Sequence, residues 1–491
     1  MLSKLTPCLV MVAAIAAAEP AHAVLAPPPS SFVPDRAGGA AGARCGGPVR
    51  CVGPSGKYRT ISAAVAAARS GDTIQVQAGT YRERVTVSGK QLTLRGGFAA
   101  GFQRRSPART PTVIDGRRGG TVVTLSEARN SAVDGFTITG GRAPLDQDRN
   151  ARGSGIRVSE SRRVAIVNNL IRGNDDSQDF RTCNCATLGG GLDVSSSLPG
   201  SSVTVRGNIF RGNRAIRGAG LAVGVPGLIE GNLVEGNRAG GDHGGGLYLG
   251  GPGITVRRNL IRANRIGDQA GYGWGGGAIF FGPGSPTPRV SFEANRWTGN
   301  RAPSIGSGLF IDEDAAARIV GDLFHGNACG SAGGAALYVD GTGIVPTGSV
   351  ATLENVTITG HACPREQRGS AIFTEGGSRI AITNSIITGN GGASQIYVCT
   401  DCADLPKPPP STIAWSLVSG TTPNVRRGAG LFSGSPGFAN PARGDFHLAR
   451  GSRAIDAANP ASPVGPEPRP NGGRRNLGAY GGTREATRSR G

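Results

Sequence analysis

A repeated unit in the middle of the chain is the feature that most restricts its fold. The first copy reads GNIFRGN (207–213) and then GAGLAV (218–223), and the second reads EGNLVEGN (230–237) and then GGGLYL (244–249). Each copy is a short apolar strand ending in Gly-Asn, a loop of variable length, and a Gly-rich start to another short strand. A fixed motif at this period is typical of stacked repeats. The sequence therefore predicts a coiled ribbon whose turns lie on one another, a parallel β-solenoid.

The asparagines of this unit form two series along the sequence. One series continues with Asp322 in place of Asn and comprises Asn169, Asn208, Asn232, Asn259 and Asn295. The other comprises Asn174, Asn213, Asn237, Asn264, Asn300, Asn327 and Asn390. Stacked Asn side chains can pass amide hydrogen bonds from rung to rung at a spacing of ~4.8 Å. Asn also tolerates the left-handed backbone of a sharp corner. We interpret both series as structural ladders and not as catalytic residues.

The composition agrees with a narrow apolar interior. Gly accounts for 82 of 491 residues, and aromatic residues make up only 5%, too few for one large globular core.

The net charge is +20, and almost all of it comes from Arg. Such a charge favours an anionic partner, either acidic polysaccharide, lipopolysaccharide or nucleic acid, although codon bias and solubility explain it equally simply. No basic run is interleaved with aromatic residues, so we expect no nucleic-acid partner.

The N-terminus has the features of an export signal. Lys4 is followed by an apolar stretch over 9–18 and by a small-x-small cleavage site at 21–23. We assign residues 1–23 to a signal peptide and 24–52 to a flexible lead-in. No second apolar run of spanning length follows, so we expect a monomeric protein that is secreted, periplasmic or on the cell surface. Without the signal, eight cysteines remain, an even number suited to an oxidising compartment.

The start of the repeat region carries a family resemblance. Residues 57–72 show helical periodicity, with Ile61, Val65 and Ala68 on one face, and GDTIQVQAGTYRE follows. This opening resembles the N-terminal cap of right-handed parallel β-helix proteins of the pectin-lyase-like superfamily. The FRGN, FHGN, GGAI and GGGL segments resemble repeats of chlamydial polymorphic outer-membrane proteins. The resemblance implies an all-β, single-stranded right-handed parallel β-helix over 53–430, about a dozen rungs long, with an N-terminal capping helix.

The pattern stops after Leu431. SPGFANPARGDFHLARGSRAIDAANP (435–460) and RPNGGRRNLGAYGG (469–482) resemble the terminal segment of exported bacterial β-helix proteins of the choice-of-anchor type. Asn476 and Gly481-Gly482 stand where acidic residues are more usual in those proteins. We therefore assign 431–482 to a C-terminal extension and 483–491 to a disordered tail.

The cysteines provide a test of the register. Cys329 lies two residues after Asn327, and Cys363 lies two residues after His361, so both occupy one repeat position on adjacent rungs. Equivalent Cα atoms of neighbouring strands lie within disulfide range, which predicts a Cys329–Cys363 bond. Local bonds are expected in three further pairs: Cys45 with Cys51, Cys183 with Cys185, and Cys399 with Cys402. A metal site at these pairs is disfavoured because no His lies near them.

The variable loops all leave one corner and should align on one flank. The long ones cover 142–152, 175–188, 238–243 and 265–274 and carry acids, arginines and aromatic residues. We predict catalytic residues among Asp175, Asp176, Asp179, Asp242 and His243. We predict substrate-binding residues among Arg181, Arg238, Asp268, Tyr272 and Trp274. The alternative is that these acids and His243 serve loop turns and that both aromatic residues only cover the flank. The acidic segment 311–318 opens a different corner and is interpreted as a solvated turn.

Two reactions suit a flank of this kind. A polysaccharide lyase would use Ca²⁺ or Arg to neutralise a uronate carboxylate and a base to take the neighbouring proton. A glycoside hydrolase would use two carboxyl groups, ~5 Å apart for retention or ~6.5–9.5 Å for inversion. We expect an exported protein that binds an acidic polysaccharide and, if it is an enzyme, also cleaves it. Ca²⁺ is expected as a cofactor only for a lyase, and no residue is assigned as a metal ligand. The rival hypothesis is a non-enzymatic, adhesin-like surface protein.

Overall fold

A computed structural model describes residues 45–147, 149–176, 186–241, 243–267, 273–282, 289–341, 348–400, 402 and 410–489. The chain winds through three long parallel sheets, here named A, B and C in the order in which each rung visits them. Each strand pairs with the equivalent strand of the rung before and the rung after. The architecture is a parallel β-helix, as the repeats predict.

The strands are short, and within each sheet they follow one another in chain order. Sheet A contains Val49–Val52, Thr73–Gln77, Thr93–Phe98, Ala132–Asp134, Val164–Val167, Val203–Arg206, Gly227–Glu230, Ile254–Arg257, Arg289–Glu293, Ala316–Val320, Val350–Glu354, Arg379–Thr383, Thr412–Ala414 and Arg426–Arg427. Sheet B contains Gly79–Tyr81, Thr112–Asp115, Phe136–Thr139, Leu170–Arg172, Ile209–Arg211, Leu233–Glu235, Leu260–Arg262, Arg296–Thr298, Leu323–His325, Thr357–Thr359, Ile386–Thr388 and Leu417–Val418. Sheet C contains Val85–Ser88, Val123–Ser126, Ile156–Ser159, Leu192–Ser195, Leu221–Val223, Leu247–Leu249, Ala278–Phe281, Leu309–Asp312, Leu337–Val339, Ile372–Thr374 and Ile396–Val398.

Smaller elements complete the description. Two short parallel sheets lie at the corner between sheets B and C, one with Asn150–Arg152 and Ala186–Leu188, the other with Arg214–Ala215, Arg238–Ala239 and Arg265–Ile266. Phe438–Asn440 and Asp445–Leu448 form an antiparallel pair near the C-terminus. The helical elements are the α-helix Ile61–Ala67 and the 3₁₀ turns Ala100–Phe102 and Pro441–Arg443.

The alternation of apolar and polar residues explains the core. In Val203–Arg206 the two valines point inward and are buried, whereas Thr204 and Arg206 face outward. In-register pairing stacks each inward position on itself, so the interior is a set of apolar columns. In sheet B one column includes Phe210, Trp297 and Phe324, all fully buried, and the last two rings stack with centroids 5.6 Å apart.

Both asparagine ladders are present as predicted. From Asn169 to Asn295 and from Asn174 to Asn300, each side-chain amide donates to the next member's oxygen at 2.9–3.2 Å. Asp322 takes the position after Asn295, and its carboxylate accepts the same bonds. One rung after Asn327, His361 occupies the ladder position, and its Nδ1 accepts from the Asn327 backbone N–H at 3.0 Å. Asp and His can therefore replace Asn in the ladder, because their side chains also accept the hydrogen bond from the preceding rung.

A helix covers the N-terminal end of the stack. The helix Ile61–Ala67 is shorter than the predicted 57–72 and buries Ile61 and Val65 against the first rungs. The Glu83 carboxylate accepts from the backbone N–H groups of its first turn at 2.8 Å, and Lys90 donates to the carbonyl groups at its C-terminal end. Sheet A already begins at Val49, four residues before the expected start of the β-helix at residue 53.

Disulfides link three of the predicted pairs. Cys329 and Cys363 are bonded across adjacent rungs with Cα atoms 5.3 Å apart, which confirms the register test. Cys45–Cys51 and Cys399–Cys402 also form, with Cα separations of 5.7 and 5.6 Å. Cys183 and Cys185 lie outside the described residues.

Candidate functional site

Two of the predicted site residues lie at the corner between sheets B and C, here called the BC corner. Asp175 is half-buried and lies 3.9 Å from Arg118 and 4.0 Å from Arg214 at the closest nitrogen–oxygen distances. Arg238 is exposed and starts the two-residue strand Arg238–Ala239. Both residues follow a ladder asparagine directly, so the corner itself sets their positions.

Asp176 is fully buried at the same corner. It precedes Ala215 by one rung at the same repeat position, and the Ala215 side chain points inward and is fully buried. Its carboxyl group interacts with the Ser154 hydroxyl, but neither oxygen makes a hydrogen bond of good geometry with a described residue. Burial, and to a smaller extent the charge of Asp175, raises the pKa of Asp176 to about 7.

His243 and Trp274 are brought together by the register of neighbouring rungs. They form a bridge pair, and their rings meet edge to face with centroids 4.7 Å apart. Ile305 continues the same column one rung further on. These three residues, the edge column, border the outer face of sheet C. The remaining predicted site residues lie outside the described residues: Asp179, Arg181, Asp242, Asp268 and Tyr272.

The outer face of sheet C carries a column of mostly aromatic side chains, one from each of six consecutive rungs. This aromatic column consists of Tyr248, Ile279, Phe310, Tyr338, Phe373 and Tyr397. Its inner rings pack on each other, since Phe310 and Tyr338 are 1% and 2% exposed. The half-buried rings of Tyr248 and Tyr397 mark its two ends.

The Gly-rich segments make room for this column. Gly306 has φ 61°, and a Cβ there would lie 2.9 Å from Cβ of Phe310. Gly334 has φ 63°, and a Cβ there would lie 3.1 Å from Cβ of Tyr338. A side chain at either position would be strained by the backbone and crowded by the ring, which gives these repeat glycines a direct packing role.

A second column on this face is acidic. Asp312, Asp340 and Glu375 each lie two residues after an aromatic-column ring, on three successive rungs. The backbone N–H of Asp340 donates to Ile311 O, and that of Glu375 donates to Val339 O, so the register extends through the acids. Neighbouring Cα atoms in such a column are ~4.8 Å apart. We call these three residues the acidic column.

The acidic column favours protonated carboxyl groups. Burial raises the pKa of Asp340 to about 8, with Glu375 and Asp312 adding to the rise. Burial raises the pKa of Asp312 to about 7. Burial, followed by the Glu375 charge, also raises the pKa of Tyr338, so its phenol keeps its proton and donates to Glu375 at 2.5 Å. The result is two carboxyl groups that hold a proton near neutral pH beside a third that accepts a hydrogen bond.

The far end of the same face is cationic and rich in hydroxyl groups. A groove of about 670 Å³ lies over the first rungs of sheet C and is lined by Arg84, Thr86, Thr124, Ser126, Arg157 and Ser159. Arg157 pairs in register with Asp193, which leads through Ala222 to Tyr248 and the aromatic column. One continuous face therefore joins the cationic groove to the acidic column.

The acidic column was not predicted from the sequence, although the sequence contains a signal for it. The three segments read FID (310–312), YVD (338–340) and FTE (373–375), and each follows a Gly-rich strand start. An acid two residues after an outward ring lies on the same face of a strand. Asp312 therefore belongs to the outer face of sheet C, whereas the segment 311–318 was interpreted as a solvated turn.

Two further observations concern the described residues. They contain no group of three or more His, Cys, Asp or Glu side chains arranged to hold a metal ion. Within the same ranges, no helix has the length and apolar character needed to cross a membrane.

Comparisons with known proteins identify the fold. The sequence matches the family model "Right handed beta helix region" over residues 70–261 and 174–342. A search of curated proteins finds no sequence relative. Similar solved structures include the pectate lyase Pel9A, with 13% identity, a TM-score of 0.43, and coverage of 88% of this chain and 96% of that one. XylC in complex with xylose is 11% identical, with a TM-score of 0.43 and coverage of 80% of this chain and 87% of that one. The periplasmic alginate epimerase AlgG is 10% identical, with a TM-score of 0.39 and coverage of 74% of this chain and 77% of that one.

Proposed function

The chain belongs to the right-handed β-helix region family, whose stacked rungs turn one repeat position into a column, and we propose that the outer face of sheet C binds and hydrolyses a polysaccharide. The observation that carries the proposal is the acidic column beside the aromatic column. Hydrolysis of a glycosidic bond needs one carboxyl group that holds a proton and a second that acts as a carboxylate.

Asp340 is assigned the role of general acid. Its raised pKa, about 8, keeps it protonated at neutral pH, so it can donate to the glycosidic oxygen as the bond to the leaving sugar breaks. It is only half-buried, which leaves the carboxyl group within reach of a bound chain.

Glu375 is assigned the role of nucleophile. The Tyr338 hydroxyl donates to one oxygen of its carboxyl group at 2.5 Å, which fixes the orientation of the side chain beside Asp340. Attack on the anomeric carbon gives a covalent glycosyl ester, and water activated by Asp340 then releases the sugar. The Cα atoms of Asp340 and Glu375 are one rung, ~4.8 Å, apart. Carboxyl groups that project side by side from these positions would be close to the ~5–5.5 Å separation of retaining enzymes, so we expect retention of configuration.

The rest of the face suits an extended glycan with acidic sugars. The half-buried rings of Tyr248, Trp274 and Phe281 offer apolar surfaces on which pyranose rings can stack. Arg84 and Arg157 lie in the groove at the other end, where guanidinium groups can pair with uronate carboxylates.

The test is incubation of the exported chain with a panel of acidic and neutral polysaccharides, with and without Ca²⁺. We expect new reducing ends without unsaturated products on at least one substrate. Asp340→Asn and Glu375→Gln should each lower the rate by about 10²–10⁴-fold, the usual contribution of a positioned acid or base. Glu127→Gln is the matched control, because Glu127 occupies the turn position after a sheet C strand that Glu313 occupies beside the acidic column.

Other outcomes would point elsewhere. Unsaturated products that depend on Ca²⁺ would indicate elimination and overturn the hydrolase assignment. Equal activity in Asp340→Asn, Glu375→Gln and Glu127→Gln would remove the acidic column from the chemistry.

A non-enzymatic surface protein is the second candidate. The burial of Phe310 and Tyr338 favours it, because rings that pack on each other stiffen the solenoid instead of facing a sugar. Binding to a polysaccharide without any product would support this alternative.

We further propose that the protein acts outside the cytoplasm. The three disulfides support this location, since such bonds persist in oxidising compartments. N-terminal sequencing of the secreted protein tests it, with a start at residue 24 as the expected result.

A further inference from the structure

Four arginines are stacked in register at the BC corner. Arg214, Arg238 and Arg265 open the three strands of the small parallel sheet, and Arg301 pairs with Arg265 on the next rung. Each follows a ladder asparagine directly, and all four side chains are exposed. At ~4.8 Å per rung the four positions span about 14 Å along the helix axis. We call this set the arginine column.

The column has few anionic partners within the described part of the chain. No described carboxylate lies within ion-pairing distance of Arg238, Arg265 or Arg301, and Arg214 only reaches Asp175 at 4.0 Å. The neighbouring arginines of sheet B differ. Arg211 and Arg262 flank Glu235 and pair with it from both sides, with Arg211 Nη2 at 2.8 Å.

An in-register column of like charges opposes folding, because directly opposite like charges on neighbouring strands repel. The column nevertheless extends over four rungs between Asp175 on one side and Ala328 on the other. A bound polyanion would offset this repulsion, and would gain charge-assisted, forked hydrogen bonds from each guanidinium.

We propose that the arginine column binds a linear acidic polysaccharide running parallel to the helix axis. Successive sugars of an extended glycan turn about the chain axis, so the uronate carboxylates on the side that faces the protein meet the guanidinium groups and the others face solvent. Nucleic acid fits less well, because no aromatic residue adjoins any of these arginines in the sequence and bases would lack a ring on which to stack.

The column is separate from the acidic column and does not depend on cleavage there. It lies on the small sheet at the BC corner, whereas the acidic column lies on sheet C near the turn that leads to sheet A. A chain held at the corner would remain beside the sheet C face while that face acts on it.

The experiment measures binding of a polygalacturonate oligomer of six to eight sugars by calorimetry, in the full exported chain carrying Asp340→Asn to prevent turnover. The double variant Arg238→Gln/Arg265→Gln should weaken binding about tenfold or more and lower the salt dependence of the affinity. The matched control is Arg129→Gln/Arg163→Gln, which removes two exposed arginines from successive turns between sheets C and A. The control should bind like the parent.

Equal weakening in both double variants would show that net charge alone attracts the oligomer and would overturn the proposal. So would unchanged binding in Arg238→Gln/Arg265→Gln. Tighter, column-dependent binding of single-stranded DNA would identify nucleic acid as the partner and likewise overturn it. Loss of binding in Arg238→Gln/Arg265→Gln supports the column even if the parent chain cleaves no polysaccharide.

Discussion

Individual acids are buried in this protein at a cost in free energy. Asp176 takes an inward corner position that Ala215 and Ala239 occupy on the next two rungs. Asp193 is buried on the outer face of sheet C, where burial raises its pKa to about 6. A carboxyl group buried without full compensation favours its neutral form. Asp176 is the sharper case, because its interaction with Ser154 does not offset the effect of burial on its pKa.

We expect Asp176→Asn to stabilise the protein near neutral pH. The pKa of Asp176 is 3.8 in the reference state and about 7 when folded, so the folded chain holds the proton more tightly. Stability therefore falls as the pH rises from about 4 to about 7 and levels off above that. Removing the carboxylate should raise the unfolding free energy at pH 7 by about 1–3 kcal/mol and have little effect at pH 4.

Denaturant unfolding between pH 4 and pH 8 measures this difference. The exposed Glu127→Gln provides the control, because it removes one carboxylate without changing a buried one. An identical pH dependence in Asp176→Asn and the parent would contradict the assignment of the buried proton.

At the scale of the element, the asparagine ladders connect rungs that have little else in common. The loops at the BC corner vary in length, but the ladder asparagines from Asn174 to Asn300 each donate to the next ladder member and to a carbonyl group of the preceding rung. Asn237 donates to Phe210 O at 3.0 Å and to Asn264 at 2.9 Å, and it accepts from Asn213. Each bond is buried, so its partners would be left unsatisfied if the side chain were lost.

Asn237→Ala should therefore destabilise the protein by about 2–4 kcal/mol, since several buried groups lose their partner at once. The midpoint and slope of denaturant unfolding report the change. Asn440→Ala is the matched control and should be nearly neutral, because Asn440 is exposed, has an extended backbone with φ −156° and makes no side-chain capping bond. A similar loss in both variants would show that the ladder contributes no special stability.

The asparagine ladders also show how much of the fold and of the candidate site the sequence could predict. The columns that contain Asn208 and Asn213 were predictable because Asn recurs at a fixed position beside Gly. The acidic column was not, because Asp312 belongs to a strand face only once the register of sheet C is known. The burial of Asp176 was also hidden, since the corner turns its side chain inward while the sequence shows only two acids after Gly-Asn. Periodic positions can be predicted, whereas the direction of a side chain at an irregular corner depends on packing.

At the scale of the whole molecule, the chain after the last rungs folds back onto sheet B. Arg475 Nη1 lies 2.7 Å from the Glu354 carboxylate, and Asn355 donates to the carbonyl groups of Asn476 and Gly478 at 3.0 and 3.1 Å. Phe446, with Tyr480, covers the outward side chain of Leu323. The C-terminal segment thus shields the apolar outer face of the late sheet B strands, a surface that would otherwise favour association.

Phe446→Ala should detach this segment while leaving the stacked rungs folded. Truncation of a buried Phe costs about 3–5 kcal/mol, and in a solenoid that loss acts mainly on neighbouring contacts. Limited proteolysis with mass spectrometry should show earlier cleavage within 435–489 and unchanged protection of the earlier rungs, whereas Arg450→Ala, an exposed change in the same segment, should cleave like the parent. Simultaneous loss of protection along the whole chain would instead mean that the C-terminal segment and the β-helix unfold as one unit. Unchanged cleavage would mean that Arg475, Asn355 and their partners hold the segment without the ring, because the polar contacts at the corner between sheets A and B would then suffice.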